Sequence, residues 1–318
     1  MKYLIAGTGA VGLAVMDDLS KRGHEIILVN RTAAPAQILP ASVAYRTLDA
    51  RDPAALAAAC QGCDCLVHTA GTAIDQAAAE LPALMDSMLQ ASIQSGAGLI
   101  YIDTMDAYGD NLGIPMSEAT PERPTNAYEQ LRAELGRKLL QAIAGGQVRA
   151  QIARCGTLYG PRVTRSGLGE SVFGNVAAGN PAKLLGRLDM PHAFTFVRDL
   201  ARAVANLSEH DESWGRIWHV PCPQPITQKQ VLDILRDVCS RPVTAETINS
   251  SFFGLKSLLN PQLKQFADCL YRFEKPYVIN HSRFSTSFGE RTTAHEQALF
   301  ETLEWFRQRA GISRRYGF

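Results

Sequence analysis

Short apolar runs alternate with longer amphipathic stretches along the first half of the chain. The runs are Tyr3–Ala6, Glu25–Val29, Val43–Leu48, Cys65–His68, Leu99–Ile102 and Val148–Ala153, each four to six residues long. Runs of this length without polar alternation predict strands buried on both faces of a parallel sheet. Between them apolar positions recur at helical spacing. Val11, Ala14, Val15 and Leu19 share one face of a helix predicted over about 10–21 and stopped by Gly23. Pro53 opens an alanine-rich helix, a position where its missing N–H costs nothing. Longer helices are predicted over about 75–94, closed by Gly96, and 127–144. Strands and helices alternating in this way predict an α/β fold, a Rossmann-type doubly wound parallel sheet with helices on both faces.

Beyond Gly160-Pro161 the pattern loosens. Residues 162–180 are rich in glycine and polar side chains and read as a mobile flap. Further elements are a helix over 196–207, a strand over 217–220, a helix over 227–239 capped by Thr227, and a helix over 293–309. There is no internal repeat and no low-complexity tract.

Composition excludes several classes of function. The 318 residues are 46% hydrophobic and 20% charged, with a formal net charge of +1. That balance gives no electrostatic case for binding nucleic acid or an anionic membrane. No apolar run reaches the length of a membrane span, and the first residues read as a strand rather than a signal peptide. Seven cysteines, an odd number without a regular framework, fit a reducing compartment and a cytoplasmic location. Cys60, Cys63 and Cys65 have no second pair at zinc-ligand spacing, so no metal site is expected.

Chemistry first enters directly after the first strand, where Gly7-Thr8-Gly9-Ala10-Val11-Gly12 spells G-x-G-x-x-G. Gly7 allows a tight turn, Gly9 lets backbone approach a pyrophosphate, and Gly12 permits close packing of helix on strand. The following helix would present its free N–H groups to the phosphates. A strand before the motif and a helix and strand after it make this a dinucleotide site rather than a chance glycine turn. The second strand ends in Asn30-Arg31-Thr32, with no carboxylate to take the ribose hydroxyls of NAD. Arg31 there suits the 2′-phosphate of NADP, with Thr32 adding a hydroxyl; the plainer alternative is a solvated loop residue. NADP is therefore expected, with NAD as the alternative.

Other strand ends supply further contacts. Asp49 could accept from an adenine amino group, and Ala70-Gly71 forms a small-residue floor. Hydride transfer to a carbonyl needs a proton donor, and a tyrosine can serve. Thr104 after the fifth strand, Tyr128 at the head of a helix and Arg132 one turn further on have the required types. His192 and His219 are assigned no role, since a lone histidine is more often a satisfied polar residue than a catalyst.

These motifs together resemble the extended short-chain dehydrogenase/reductases, the NAD-dependent epimerase/dehydratase superfamily. The resemblance rests on residues 6–12, His68-Thr69-Ala70-Gly71, Thr104 four residues before Tyr108-Gly109-Asp110-Asn111, and Pro124-Thr125-Asn126-Ala127-Tyr128. Tyr159-Gly160-Pro161 and Phe196-Val197-Arg198-Asp199-Leu200-Ala201 extend it over nearly the whole chain. It implies that Thr104 is the family's Ser/Thr and Tyr128 its catalytic tyrosine, with 159–161 bordering nicotinamide and substrate. Dimerisation through the helices 75–94 and 127–144 is likewise implied. Two departures stand out. Ala6 replaces the family's first glycine, and Arg132 replaces the lysine of its Tyr-x-x-x-Lys. Arginine keeps the charge but cannot relay a proton.

The residues assigned to the cofactor are Gly7, Thr8, Gly9, Ala10, Val11, Gly12, Asn30, Arg31, Thr32, Asp49, Ala70, Gly71, Tyr128 and Gly156; Thr104, Tyr128 and Arg132 are assigned to catalysis. A dinucleotide-binding domain is expected over 1–161, with return segments near 194–222, and a smaller substrate-binding domain over 162–193 and 223–318. The leading expectation is an NADP-dependent oxidoreductase or epimerase acting on a small or medium carbonyl or alcohol substrate. A non-catalytic NADP-binding sensor or structural protein is the reading that Arg132 motivates. A sugar nucleotide is the competing substrate class, for which Arg162, Arg165, Lys183, Arg187 and Arg283 could supply cations. The phenylalanines at 194–196 and 252–253 suit a less polar ligand or simply a core.

Overall fold

The computed structural model describes residues 1–32, 39–239, 242–248 and 267–311. Ser251-Phe252-Phe253 lies outside the described residues. Seven parallel strands form the central sheet: β1 (Lys2–Ala6), β2 (Glu25–Asn30), β3 (Val43–Thr47), β4 (Cys65–His68), β5 (Gly98–Thr104), β6 (Ala150–Cys155) and a last strand, Ile217–His219. Their spatial order is β3-β2-β1-β4-β5-β6 followed by Ile217–His219, so the chain winds outward from β1 in both directions. All their carboxyl ends therefore lie along one edge.

Alternation along each strand sends side chains to opposite faces. Leu4 and Ala6 join Leu56, Met88, Leu99 and Leu139 in a core under α2 (Pro53–Cys60), α3 (Ala77–Ser95) and α4 (Ala127–Ala144). Tyr3 and Ile5 join Val15, Leu19, Val204 and Trp218 in a second core under α1 (Ala10–Lys21) and the helix Val197–Glu209. Such a sheet is covered on both sides, which is why its strands read as unbroken apolar runs.

The helix ends are fixed locally. Asp52 caps α2 by accepting from the N–H groups of Ala54 and Ala55 ahead of Pro53. Asn126 caps α4 by accepting from Glu129 N–H at 3.0 Å. Gly96 closes α3 at φ 75°, a left-handed conformation that favours glycine. Thr227 precedes the helix Gln228–Cys239 in a reciprocal capping box. Its hydroxyl accepts from Gln230 N–H at 3.1 Å, and the Gln230 side chain accepts from Thr227 N–H at 2.7 Å.

A third core gathers later segments around Leu168, Phe173, Phe194, Phe196, Leu232 and Phe306. It changes the reading of two stretches. Residues 162–180 are helical over Gly169–Ala178 and bury Leu168, Val172, Phe173 and Val176, with Phe173 stacked on Phe306 at 5.9 Å between centroids. They are a packed element rather than a loose flap, because the apolar partner comes from the distant helix His295–Arg309. Phe194 and Phe196 are core residues around Tyr159, so they give no support to an apolar ligand site. No described helix is long and apolar enough to cross a membrane.

Candidate active site

The turn from β1 into α1 is closed by close backbone approach. Gly7 has φ +117°, and a Cβ there would lie 2.9 Å from both Ala70 N and Thr69 Oγ1. A Cβ on Gly12 would lie 2.0 Å from the Gly7 carbonyl oxygen, so only glycine lets the first turn of α1 sit on the strand end. Gly9 has nothing within 4 Å of that position, which leaves the backbone at the helix N-terminus open to a ligand. Thr69 Oγ1 donates to Ala6 O at 2.9 Å and ties the end of β4 to the end of β1.

A cleft of about 480 Å³ opens over this turn. It is lined by Gly7, Thr8, Gly9, Ala10, Val11, Asn30, Arg31, Asp49, Ala70 and Gly71, and also by Arg162 and Arg165. Ten of the expected cofactor residues thus share one surface. Gly12, Thr32, Tyr128 and Gly156 do not line it. Gly12 lies beneath the turn, and Thr32 accepts a hydrogen bond from Asn30 Nδ2 at 3.1 Å. Gly156 faces the backbone of Ala193, whose carbonyl oxygen would be 2.5 Å from a Cβ. Asn30 Nδ2 also donates to Thr8 Oγ1, joining the end of β2 to the glycine turn. Asp49 receives Arg51 through both carboxylate oxygens, at 3.1 Å from Nε and 2.7 Å from a terminal nitrogen; these bonds hold its carboxyl below the usual range. The unobstructed backbone at Gly9 and the guanidinium groups of Arg31, Arg162 and Arg165 in the lining fit a dinucleotide.

Along the same edge, Thr104 ends β5, Tyr128 lies in the first turn of α4 and Arg132 one turn on. Each is held by a carboxylate or lies in its field. Thr104 Oγ1 donates to Asp106 Oδ2 at 2.5 Å. Arg132 donates to Asp103 Oδ1 at 2.5 Å, and Arg154 Nε donates to Asp103 Oδ2 at 3.0 Å. Arg154 reaches on to Glu122 Oε1 at 2.7 Å, and Arg272 pairs with Asp106 at 2.6 Å. Tyr271 donates to Glu129 Oε1 at 2.7 Å. Asp103, Asp106, Arg132 and Arg154 are all buried.

This network sets the state of Tyr128. Burial pushes its hydroxyl up to about 12, opposed by the charges of Arg132 and Arg272 and reinforced by those of Asp106 and Asp103. The charge of Arg132, one helical turn away, does pull the Tyr128 hydroxyl down. Desolvation outweighs it, and Asp103 offsets its charge, so the net shift is upward rather than downward.

Sequence reading had not assigned Asp103, Asp106, Arg154, Tyr271 and Arg272 to the site. A charged residue opposite another in adjacent strands was the available signal, since Asp103 and Arg154 are register partners. The two histidines left without a role are satisfied core groups. His192 stacks on Phe273 and Tyr277 at 4.7 Å each, accepts from Thr157 through Nε2 at 2.7 Å and donates through Nδ1 to Arg272 O at 3.1 Å. His219 accepts from the Tyr108 hydroxyl at 2.7 Å and donates to Asn280 O at 3.0 Å. Burial lowers both to about 3. Among the described residues no cluster of His, Cys, Asp and Glu could hold a metal ion.

Residues 3–220 match the model of the NAD dependent epimerase/dehydratase family. The chain is 23% identical over 279 residues to the UDP-glucose 4-epimerase of Corynebacterium glutamicum, covering 77% of this chain and 83% of that one. Among solved structures it is similar to a UDP-glucuronic acid 4-epimerase from Bacillus cereus in complex with UDP-glucuronic acid and NAD. The TM-score is 0.79 at 16% identity, over 97% of this chain and 100% of the other. A dTDP-glucose 4,6-dehydratase from Streptomyces venezuelae with NAD bound gives 0.78 at 18% identity, over 98% of both chains. The chain belongs to the NAD-dependent epimerase/dehydratase family of extended short-chain dehydrogenase/reductases.

Proposed function

We propose that this member of the family is an NADP-dependent oxidoreductase or epimerase that passes hydride between the nicotinamide and an alcohol or carbonyl carbon of a small or medium substrate. The reading is carried by one observation: the open glycine turn at the head of α1 and the group Thr104, Tyr128 and Arg132 lie along the same carboxyl edge of one sheet. NADP would be held by the 7–12 turn at its pyrophosphate, by Arg31 at its 2′-phosphate, and by Asp49 and Ala70-Gly71 beside the adenine and the ring. When bound, the nicotinamide supplies or accepts the hydride. Tyr128, kept protonated by burial, is the proton donor to the substrate oxygen, the direction that carbonyl reduction requires. Thr104 orients that oxygen. Arg132 contributes fixed positive charge and no proton transfer. Segments 162–193 and 223–318 serve as the substrate-binding unit, and a homodimer through α3 and α4 belongs to the same reading. Seven free thiols suit the reducing cytoplasm.

The alternative substrate class, a sugar nucleotide, is supported by Arg162 and Arg165 in the cleft wall and by relatives named for such substrates. The pairing of Arg132 with Asp103 favours a second reading, a sensor that binds NADP without turnover. Fluorescence titration with NADPH and NADH, followed by turnover with a carbonyl and sugar-nucleotide panel, separates the two. Tight NADPH binding with turnover abolished by Tyr128→Phe supports the enzyme. Binding with no hydride exchange on any substrate supports the sensor, and full turnover by Tyr128→Phe removes the mechanism.

A further inference from the structure

The corner of the cleft around Arg31 holds a second arginine. Arg31 follows β2, Arg51 follows β3, and Glu80 lies in the first turn of α3; all three line the cleft with Asp49. Glu80 Oε1 is 3.7 Å from a terminal nitrogen of Arg31 and 3.7 Å from one of Arg51. Arg51 is fixed by its two-point bond to Asp49 through Nε and the other terminal nitrogen, so the nitrogen facing Glu80 is left for a second anion. Neither contact of Glu80 is a hydrogen bond in length. The carboxylate therefore marks where two guanidinium groups converge without binding either tightly.

We propose that Arg51 is the second arm of a clamp, with Arg31, for the 2′-phosphate of the dinucleotide, and that Glu80 sets the preference between that phosphate and a free ribose hydroxyl. This inference rests on the NADP reading above and names the residues that would enforce it. The charges explain the division of labour. Two arginines against Asp49 and Glu80 leave the corner neutral, whereas a phosphate monoester brings about −1.5 to −2 charges. One half-exposed arginine offers a single fork; the remaining terminal nitrogen of Arg51 adds a second charged donor at the same corner, which matches a set of phosphate oxygens better. Glu80 opposes the phosphate by like charge and can accept from a 2′-hydroxyl, so it lowers the preference for NADP that the arginines create. Arg51 is held at the corner by its bonds to Asp49.

The test is fluorescence titration of the full-length protein and its variants with NADPH and NADH, with competition by 2′,5′-ADP. Arg51→Gln is expected to weaken NADPH and 2′,5′-ADP about tenfold, as for loss of one charge-assisted contact, while NADH changes by less than about twofold. Glu80→Gln is expected to raise the NADPH-over-NADH ratio by about tenfold. Equal weakening of both dinucleotides by Arg51→Gln would assign Arg51 to propping Asp49 and overturn the clamp. A ratio lowered or unmoved by Glu80→Gln would overturn the role of Glu80. If the unaltered protein prefers NADH, the NADP reading falls and this inference with it. If it prefers NADPH and Arg31→Gln abolishes that preference while Arg51→Gln leaves it intact, only the clamp fails.

Discussion

Asp103 is the carboxylate on which two buried guanidinium groups depend, and its removal gives a stability signature with a definite sign. Its side chain is inaccessible to solvent, as is that of Arg154, and Arg132 is 9% exposed. Arg154 keeps Glu122 at 2.7 Å if Asp103 is lost, whereas Asp103 is the one carboxylate within ion-pair distance of Arg132 among the described residues. Asp103→Ala therefore strands the charge of Arg132 in a largely buried site. Breaking a buried pair from one side typically costs about 3–5 kcal/mol, because the partner has already lost its hydration. Urea unfolding of the cofactor-free protein, followed by far-ultraviolet circular dichroism, reads this as a lower midpoint at unchanged slope. The diagnostic arm is the double variant. Adding Arg132→Met to Asp103→Ala removes the stranded charge and is expected to restore at least about 1–2 kcal/mol, so the second substitution stabilises. Arg132→Met alone leaves Asp103 paired with Arg154 and is expected to cost less than Asp103→Ala. A loss below about 1 kcal/mol for Asp103→Ala, or a double variant no more stable than the single, would refute the reasoning.

Gly12→Ala places a methyl group 2.0 Å from the Gly7 carbonyl oxygen, so α1 must move off the strand end; NADPH titration should show binding lost together with a stability loss of about 1–3 kcal/mol. Thr227→Ala removes one half of a capping box and is expected to cost about 1 kcal/mol in urea unfolding with NADPH affinity unchanged. Burial lowers His68, His192 and His219 to about 3, so the unfolded chain binds protons there that the native protein does not. Stability from these groups is present above about pH 6.5 and is lost as pH falls toward 3; His192→Gln should reduce the proton uptake on unfolding at pH 5 by about one. Tyr128 carries the opposite sign. Its hydroxyl, raised to about 12, contributes stability fully present below pH 10 and lost between 10 and 12, a loss that Tyr128→Phe should diminish in alkaline unfolding.

What could be read from the sequence was local. The bounds of α1 and α4 coincide with the periodicity because each is set locally, α1 by its apolar face between Gly9 and the left-handed Gly23, and α4 by its apolar face and the Asn126 cap. The glycine turn was legible because Gly7 and Gly12 answer to close contacts within one strand–helix unit and the adjacent end of β4, while Gly9 keeps the backbone between them uncovered. Strand β6 was not. The apolar run suggested 148–153, whereas the strand spans Ala150–Cys155 and includes Arg154, whose charge is matched by Asp103 in β5. A residue-by-residue scale reads Arg154 as a strand end; only the neighbouring strand makes it an interior residue. Arg272 and Tyr271 lay in a stretch with no periodicity, and their partners Asp106 and Glu129 are far away in sequence. Gly156 shows the converse limit. It was assigned to the cofactor without a motif to place it, and it lies outside the cleft lining, with the space a Cβ would need taken by the Ala193 backbone.

The outward winding of the sheet separates in time the two halves of the site as the chain leaves the ribosome. β1, β2, β3, β4 and the glycine turn are complete once residue 71 has emerged, and their contacts span short loops. The acid–base network closes later, since Asp103 waits for Arg154 and Asp106 for Arg272. A growing chain can therefore present a phosphate-binding turn before it holds any means of using the bound cofactor. During that interval Asp103 and Asp106 stay hydrated rather than buried, and vectorial synthesis spares the chain the desolvation of lone charges until their partners arrive.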